Sequence, residues 1–320
     1  MDRINPSDKK YPFDFSIIAP CYNESESLRE FHKRLVTALK GIPFTFELIY
    51  INDGSVDDTL GCLLDICNDT DIAVRILDLA RNVGQTNAST AGLEYAMGKD
   101  IVFIDCDLQA DPEDIRLLIE KFDEKHDMVS GARTQRKDNL LRLYISRLGN
   151  AVVRGTLGLP LYDFGSGMKI LRGTVVHAFE PGPFHPLNPG AIMLSLQHVV
   201  EVPINHHVRR YGRTRWTLRR FAALYHNVFK QLIPFIYLFT VVPLFIVSSL
   251  AFVYFVLAGF YPTLFPGSNN TAILPILLML NISLSISHFL LLGEFVMRGD
   301  KQVQEPAYIV RQIFRHQKTK

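Results

Sequence analysis

One long segment of this 320-residue sequence has no charge, because residues 231–293 contain no Asp, Glu, Lys or Arg. Two apolar stretches, Leu232–Phe260 and Ala272–Gly293, fill most of it, and the Pro-, Gly- and Asn-containing connection Tyr261–Thr271 joins them. Each stretch has the roughly 20 residues that a membrane-spanning helix requires. The missing charge argues against a wholly water-soluble chain and predicts a two-helix transmembrane domain, residues 231–297. A helical hairpin buried in a protein core is the alternative.

Cysteine is also scarce, and its spacing excludes two kinds of site. The four cysteines include no Cys-x-x-Cys pair, and no His cluster lies beside them in the sequence. A disulfide framework and a structural zinc site are therefore not expected. We predict buried free thiols in a reducing compartment for all four, which are Cys21, Cys62, Cys67 and Cys106.

The N-terminal residues 1–14 form a polar tail that lacks the apolar core of a signal peptide, so no export of the following domain is expected. Residues 1–200 carry 21 Lys+Arg against 28 Asp+Glu, whereas residues 201–320 carry 13 against 4. These basic residues crowd both outer flanks of the uncharged segment. The positive-inside rule then places both termini in the cytoplasm, and a bacterial inner membrane is the expected location.

A basic amphipathic stretch precedes the uncharged segment and predicts a helix, residues 216–230, that lies on the membrane surface. Its Arg219, Arg220 and Lys230 are interleaved with aromatic and aliphatic residues. Residues 298–320, at the other end of the segment, are predicted to be a basic cytoplasmic tail. The arginines that lead into the amphipathic helix, and that are expected to attract anionic lipid, are Arg209, Arg210, Arg213 and Arg215.

In the first part of the chain, short apolar runs alternate with helical patterns, which is typical of a doubly wound, Rossmann-like α/β domain with a mostly parallel sheet. This domain is expected to span residues 15–215. Residues 138–157 predict a long helix, and residues 158–203, rich in Gly and Pro, predict an irregular rim with short elements. The predicted strands are Phe15–Pro20, Glu47–Asn52, Val74–Leu79, Ile101–Asp105 and Met128–Gly131. The predicted helices between them are Ser25–Leu39, Asp57–Cys67, Thr86–Met97 and Pro112–Phe122.

Ligands of such sheets bind at the carboxyl ends of the strands, and the strongest polar signal follows the fourth predicted strand. Asp105 and Asp107 are two residues apart, and Gln109 adds a neutral oxygen at the next alternate position. Hard oxygen donors in a partly open shell suit Mg²⁺ or Mn²⁺ bound together with a diphosphate. For so short a motif, a solvated Asp-rich turn is the alternative.

A second polar turn, Pro20-Cys21-Tyr22-Asn23-Glu24, ends the first predicted strand. Tyr22 is placed to stack on a nucleotide base, and Asn23 and Glu24 are placed to hydrogen-bond to the base or the ribose. The alternative is a strand–turn–helix junction in which these residues serve only as caps.

Two further polar turns, Asn52–Ser55 and Arg81–Gln85, follow the second and third predicted strands. Asp53 is placed to accept a hydrogen bond from a base or a ribose. Arg81 is predicted either to bind a phosphate or to pair with Asp78. Four polar turns at four strand ends converge on one crevice, and this convergence matters more than any single motif.

The sequence contains six short motifs that occur together in one known family. They are Pro20–Glu24, Asn52–Ser55, Arg81–Gly84, Ala91–Leu93, Asp105–Gln109 and Tyr162–Gly165. With this set, the chain resembles family-2 glycosyltransferases with the GT-A fold, specifically the polyprenyl-phosphate glycosyltransferases. These include dolichyl-phosphate mannose synthase, bactoprenol glucosyltransferases and the undecaprenyl-phosphate aminoarabinose transferase. Two departures, Asn52 for the commoner Asp and Cys106 for Ala, are tolerable.

The resemblance implies a role for each matching residue. Asp105, Asp107 and Gln109 would hold the metal ion and the diphosphate, and Asp107 counts among the catalytic residues. Asp163 falls at the family's essential aspartate near the acceptor, and Arg133 would contact an acceptor or donor phosphate. The arginines before the amphipathic helix would face lipid phosphates. The residues expected at the nucleotide are Pro20, Tyr22, Asn23, Glu24, Asp53, Arg81 and Asp105.

The implied reaction is metal-dependent, inverting transfer of a sugar from a nucleotide-sugar, UDP-linked by resemblance, to polyprenyl phosphate at the cytoplasmic membrane face. Membrane lipid is a further expected partner, nucleic acid is not, and the possibility of a homo-oligomer stays open. A processive polysaccharide synthase is disfavoured because Gly212 stands where its QxxRW motif needs Gln. A non-catalytic membrane scaffold is disfavoured by the intact Asp105, Asp107, Gln109 and Asp163.

Overall fold

The computed structural model describes residues 11–133, 161–163, 165–207, 242–260, 278–287 and 306–316. The chain divides into two units, of which the first comprises Met1–Leu218 together with Glu305–Lys320 and the second comprises Arg219–Gln304. Several predicted features lie outside the described residues. They are the long helix 138–157, the interfacial helix 216–230 and the arginines 209, 210, 213 and 215.

The first unit is built on one eight-stranded sheet with the order β7-β5-β6-β4-β1-β2-β3-β8. Its pairs β1/β2, β1/β4, β2/β3 and β5/β7 are parallel, whereas β6 runs antiparallel to β4 and β5, and β8 runs antiparallel to β3. The strands are β1 (Phe13–Cys21), β2 (Phe46–Asn52), β3 (Ala73–Leu79), β4 (Gly98–Phe103), β5 (Met128–Arg133), β6 (Lys169–Leu171), β7 (Val199–Ile204) and β8 (Val310–His316). The mostly parallel α/β sheet predicted from the sequence is confirmed.

Helices pack on the sheet by their apolar stripes. The first helix buries Leu28, Phe31, Leu35 and Leu39, which recur at helical spacing along one face. It begins three residues later than predicted, because residues 25–27 form a turn in which the Ser27 amide donates to the Glu24 carbonyl oxygen (3.0 Å). The helices are α1 (Leu28–Leu39), α2 (Thr59–Asn68), α3 (Gln85–Glu94), α4 (Ile115–Lys121, after a 3-10 turn Pro112–Asp114), α5 (Gly173–His177), α6 (Pro189–Ser195), α7 (Val242–Phe260) and α8 (278–287).

Three boundary predictions need correction. The predicted polar tail 1–14 overlaps the sheet, since β1 begins at Phe13. The segment 158–203 contains two strands, β6 and β7, as well as short helices. Its strands escaped prediction because β6 has only three residues and Gly and Pro dominate around it.

The third correction concerns the predicted basic tail 298–320. Residues Val310–His316 form β8 and pair with Val74–Leu79 of β3, so this part is an edge strand of the sheet. Phe314 packs against the hydrophobic core from this strand, while Arg311 and Arg315 are exposed. The exposed arginines dominated the composition and hid the strand.

In the second unit, α7 and α8 lie inside the two predicted spans. The Ser249 hydroxyl donates a hydrogen bond to Asn281 Oδ1 across the pair (2.7 Å). Among the residues that the structure describes, no helix is both long and apolar enough to cross a membrane. The two-span topology stays a prediction.

Candidate active site

The predicted polar turns meet at the carboxyl ends of β1, β2 and β4. Cys21 lies opposite Asn52 in the parallel register, and the Asp53 amide donates to the Cys21 carbonyl oxygen (2.8 Å). The Ile104 amide in turn donates to the Ile18 carbonyl oxygen (3.1 Å), which carries β4 past its last paired residue. The motifs around Asp53 and Asp105 therefore end on the same edge of the sheet, as the topology requires.

Asp53 is buried and uses both carboxylate oxygens to hold the turn after β3. Its Oδ1 accepts from the Val83 amide (2.7 Å), and its Oδ2 accepts from the Gly84 amide (3.1 Å) and from Asn82 Nδ2 (3.0 Å). Burial raises the pKa of Asp53, and the two backbone amides oppose that rise. In this state Asp53 positions a loop, and its contact with a nucleoside stays a prediction.

Arg81 begins that loop and is exposed. Asp78 instead accepts a hydrogen bond from Asn52 Nδ2 (2.7 Å) and forms an ion pair with Arg311 Nη2 (2.9 Å), so the alternative pairing of Asp78 with Arg81 is not what these described residues form. Gly54 fixes the approach of the loop, because it has φ 62° and a Cβ there would lie 2.4 Å from the Arg81 carbonyl carbon. The exposed guanidinium of Arg81 is thereby presented beside the strand ends.

The turn after β1 is held in a similar way. Asn23 has φ 53°, its amide donates to Ser55 Oγ (3.0 Å), and its Oδ1 accepts from the Val56 amide (2.9 Å). Glu24 is buried and its Oε2 accepts from the Ser27 hydroxyl (3.0 Å). Asn23 thus joins the first and second polar turns. Tyr22, which follows β1 in the sequence, is half-buried.

The two aspartates of the strongest motif lie beyond β4. Asp105 Oδ1 accepts from Gln85 Nε2 (2.6 Å), and Asp107 Oδ1 accepts from the Gln109 amide (3.0 Å). A Cβ on Gly167 would lie 1.9 Å from Asp105 Oδ2, so the missing side chain is what admits this carboxylate. Asp105 is therefore contacted by the first residue of α3 and by the loop before β6, which are distant in sequence.

Electrostatics at this pair of carboxylates favour a bound cation. Burial, and next the negative charge of Asp107, raise the pKa of Asp105 to about 7, although Arg133 and Lys169 act in the opposite direction. A divalent cation would relieve both causes. Among the described residues, no group of three or more His, Cys, Asp or Glu side chains forms a metal cluster. Asp105 and Asp107 would supply only part of a shell, as a metal shared with a diphosphate requires.

Arg133 and Asp163 form a two-pronged ion pair at the end of β5. Arg133 Nε donates to Asp163 Oδ2 (2.6 Å) and Nη2 donates to Oδ1 (2.7 Å), while the Arg133 amide also donates to Oδ2 (3.0 Å). Glu201 of β7 fixes the backbone on the other side, because its oxygens accept from the Tyr162 amide (2.9 Å) and the Asp163 amide (2.8 Å). The predicted pair of catalytic residues is therefore brought together and held rigidly.

Lys169, the first residue of β6, was missed by the sequence analysis. Burial lowers the pKa of its ammonium group to about 8, and Asp163, Asp105 and Glu201 oppose that shift while Arg133 adds to it. The one sequence signal for this residue was a single lysine within the otherwise apolar run Met168–Leu171. Lys169 therefore interacts electrostatically both with Asp105 and with the Arg133–Asp163 pair.

The model of glycosyl transferase family 2 matches residues 16–177, which is half of the chain. The chain belongs to glycosyl transferase family 2. This family-2 membership confirms the resemblance found from the six motifs.

Curated relatives of this family-2 chain act on polyprenyl phosphates according to their names. It is 31% identical over 217 residues to the undecaprenyl-phosphate 4-deoxy-4-formamido-L-arabinose transferase of Enterobacter sp. and 33% identical over 221 residues to that of Pseudomonas fluorescens. It is 31% identical over 219 residues to the dodecaprenyl-phosphate galacturonate synthase of Rhizobium johnstonii. These matches cover 67%, 68% and 67% of the chain but only 65%, 64% and 65% of the relatives.

Solved structures confirm the GT-A fold. Glucosyl-3-phosphoglycerate synthase from Mycobacterium tuberculosis in complex with phosphoglyceric acid superposes with a TM-score of 0.51 at 20% identity, covering 70% of this chain and 80% of that one. The same enzyme with Mn²⁺, UDP-glucose and phosphoglyceric acid gives a TM-score of 0.51 at 20% identity, covering 70% and 79%. At this identity the likeness shows the fold alone.

Proposed function

We propose that this family-2 chain transfers a sugar from a nucleotide-sugar to polyprenyl phosphate, with inversion at the anomeric carbon, and that it works at the cytoplasmic face of a membrane. The observation that carries the proposal is the adjacency of two differently charged groups of side chains. Asp105 and Asp107 form an acidic pair, and the cations Arg133 and Lys169 are close enough to lower the pKa of Asp105. The acidic pair suits a cation bound together with a diphosphate, and the two cationic side chains suit an anionic acceptor.

The names of the relatives support the acceptor, since three of them act on undecaprenyl or dodecaprenyl phosphate. The structural neighbours support the donor and the metal, because they were crystallised with UDP, UDP-glucose and Mn²⁺. We therefore propose a UDP-sugar as donor and Mg²⁺ or Mn²⁺ as cofactor, held by Asp105, Asp107 and Gln109. Pro20, Tyr22, Asn23, Glu24 and Asp53 would line the nucleoside end.

The residues of the chain divide the reaction between them. An acceptor phosphate oxygen attacks the anomeric carbon, the bond from that carbon to the diphosphate breaks, and the nucleoside diphosphate leaves with the bonding electrons. Asp105 and Asp107 would hold a divalent cation, which would supply positive charge to stabilise the leaving diphosphate. Arg81, which is exposed, would add positive charge to the same leaving group.

A strong general base is not needed for this acceptor. The second pKa of a phosphate monoester is about 6, so the nucleophile is already anionic near neutral pH. Asp163 is engaged by three donors from Arg133. We infer that Asp163 orients Arg133, and that Arg133 and Lys169 hold the acceptor phosphate.

The membrane part of the proposal rests on the sequence. We propose a catalytic domain that extends from β1 to about residue 215 and is completed by β8, an interfacial helix at 216–230 and two spans within 231–297, with both termini cytoplasmic. Arg209, Arg210, Arg213 and Arg215 would face lipid phosphates. An acceptor phosphate lies at the bilayer surface, so a site that uses it must be held there.

The test is a transfer assay with the full chain in detergent. It contains undecaprenyl phosphate, Mg²⁺ or Mn²⁺, and a panel of UDP- and GDP-sugars, and it measures nucleoside diphosphate release. We expect lipid-dependent release with one donor, abolished in Asp107→Ala and retained in Glu124→Ala, an exposed acid in the turn before β5. Silence across the panel without any nucleotide binding would overturn the proposal and favour a scaffold.

A further inference from the structure

Several hydrogen bonds connect the C-terminal strand β8 and the residues just before it to the rest of the first unit. The Ala80 amide donates to the Ile309 carbonyl oxygen (2.9 Å), and the Ala307 amide donates to the Pro183 carbonyl oxygen (2.7 Å). The Tyr308 hydroxyl donates to Glu94 Oε2 at the end of α3 (2.6 Å). The chain thus leaves the sheet after one edge strand, β7, and returns to it as the other edge strand, β8.

One side chain of β8 reaches into this end of the sheet. Arg311 Nη2 lies 2.9 Å from Asp78 Oδ2, and the Asp78 side chain is only 4% exposed. The other oxygen of Asp78 accepts from Asn52 Nδ2 (2.7 Å). Both oxygens of a buried carboxylate are therefore satisfied, one by β2 and one by β8.

Asn52 connects Asp78 to the polar turns by hydrogen bonds. Its Oδ1 accepts from the Ser55 amide (3.2 Å), which holds the turn that contains Asp53. Asp53 then accepts from the amides of Val83 and Gly84. This series of contacts runs from the Arg311–Asp78 ion pair through the Asp78–Asn52 hydrogen bond to the turn of Asp53 and Ser55, and from Asp53 to the loop that contains Arg81.

We propose that Arg311 is a positioning residue for the donor nucleotide, acting through Asp78 and Asn52 on the turns that contain Asp53 and Arg81. This proposal rests on the proposed function, since it assigns the donor to these turns. It also explains why position 52 carries Asn, because an Asp there would place a second carboxylate 2.7 Å from Asp78. The Asn52 amide can donate to Asp78 and accept from Ser55 together, whereas an ionised carboxylate can only accept.

The first experiment compares Arg311→Gln with Arg315→Gln in the full chain. Arg315 lies on the same strand, is equally exposed and is not part of the series. We expect Arg311→Gln to raise the KM for the donor about 3- to 10-fold, with the KM for polyprenyl phosphate and kcat within about twofold. Arg311→Lys should restore most of the donor KM, and Arg315→Gln should leave it unchanged. A merely structural role would lower the active fraction and leave both KM values as they are.

The second experiment uses amide hydrogen exchange, which needs no activity. Arg311→Gln should speed exchange in residues 53–55 and 82–84 relative to wild type and Arg315→Gln. If wild type transferred no sugar but this pattern appeared, the proposed function would be wrong and the positioning series would stand. Unchanged exchange together with an unchanged donor KM would overturn the positioning role.

A variant that keeps Arg311 guards against misfolding of Arg311→Gln. Asn52→Asp sets two carboxylates against each other while every other member of the series is retained. We expect the same selective rise in donor KM, and Asn52→Asp combined with Asp78→Asn should recover part of it. An Asn52→Asp enzyme with the donor KM of wild type would contradict the proposal.

Discussion

At the proposed donor end of the candidate site, which comprises the turns of Asp53 and Arg81, amides and carboxylates hold turns in place. At the proposed acceptor end, which comprises Arg133, Asp163 and Lys169, charged side chains hold one another. Asp53 accepts from backbone amides of a neighbouring loop, whereas Asp163 accepts from the guanidinium of Arg133 and lies near Lys169. A turn held by several amides can lose one bond and keep its shape. A buried ion pair that loses one partner leaves an uncompensated charge. The acceptor end should therefore be the more sensitive of the two to loss of charge.

The largest effect is expected for Asp163→Asn. It removes the negative charge that orients Arg133 and faces its largely buried guanidinium, so we expect turnover to fall by about 100-fold or more. Breaking such a pair typically destabilises a protein by about 3–5 kcal/mol. Asp53→Asn, at the donor end, should cost about tenfold or less, since its amide keeps one acceptor oxygen for the loop.

Steady-state kinetics of both variants, with circular dichroism to check folding, measure this contrast. A loss below about tenfold for Asp163→Asn would remove the central role of its charge. Equal losses for Asp163→Asn and Asp53→Asn would break the comparison between the two ends.

The second prediction concerns the loop before β6, in which Gly167 lies against Asp105. In Gly167→Ala the new Cβ would meet Asp105 Oδ2 at 1.9 Å, and the carboxylate has to move. We expect the Mn²⁺ or Mg²⁺ concentration for half-maximal activity to rise about 10- to 100-fold, since loss of geometry at one ligand weakens a metal site by this much. The matched control is Gly182→Ala, where a Cβ would meet nothing within 4 Å.

Metal titrations of transfer activity with both variants check this prediction. An unchanged metal requirement in Gly167→Ala would mean that Asp105 is not a ligand. A raised requirement in Gly182→Ala as well would show that the effect is not specific to the site.

The third prediction is a pH dependence at the acceptor end. The pKa of Lys169 is lowered to about 8, chiefly by burial, in surroundings that include Asp163, Arg133, Asp105 and Glu201. The ammonium group is charged below that pH and neutral above it, so binding of an anionic acceptor should weaken as pH rises through about 8. Lys169→Arg should keep the KM for polyprenyl phosphate flat to higher pH, because a guanidinium does not titrate there.

The KM for the acceptor, measured from pH 6.5 to about 9.5 in wild type and Lys169→Arg, decides the matter. The comparison of the two enzymes is the control, since titration of Asp105, whose pKa is raised to about 7, is expected in both. Parallel alkaline rises in both enzymes would show that another group titrates.

The same contrast explains what could be predicted from the sequence. The strands β1 to β5 and the motifs at their ends were predictable, because a parallel sheet covered on both faces needs near-continuous apolar runs and its ligands bind at the strand ends. The donor end is made from these local motifs. Its internal pairing was not predictable, since Asn52–Asp78–Arg311 joins positions that are far apart in the chain.

The acceptor end was harder to predict for a topological reason. It depends on β6, a three-residue antiparallel strand, and on Glu201 of β7, both in a segment rich in Gly and Pro. Only the register of β6 with β4 and β5 brings Lys169 near Asp105 and Arg133. The resemblance to a family supplied Asp163 and Arg133, but nothing local indicated that they pair.

The smallest effect is expected for an ion pair outside the site. It serves as a partly exposed reference for the buried Arg133–Asp163 pair. Arg34 donates to both oxygens of Glu113 (2.9 and 2.7 Å) and also to Asp111 Oδ1 (2.5 Å), and the hydrogen bonds to Glu113 hold the pKa of that carboxyl below its usual value. The pair is partly exposed, so Arg34→Ala should lower the free energy of unfolding by about 1 kcal/mol or less at pH 7.

The pH dependence of that loss has a definite sign. A carboxyl group with a lowered folded pKa contributes stability above its unfolded pKa of about 4.3, and that contribution disappears as pH falls through the folded value. The difference between wild type and Arg34→Ala, measured by denaturant unfolding, should therefore be constant near neutral pH and shrink below about pH 4. Arg29→Ala, on the same helix with one exposed partner, is the matched control. If Arg34→Ala cost as much as Asp163→Asn, burial would not be what distinguishes the acceptor end.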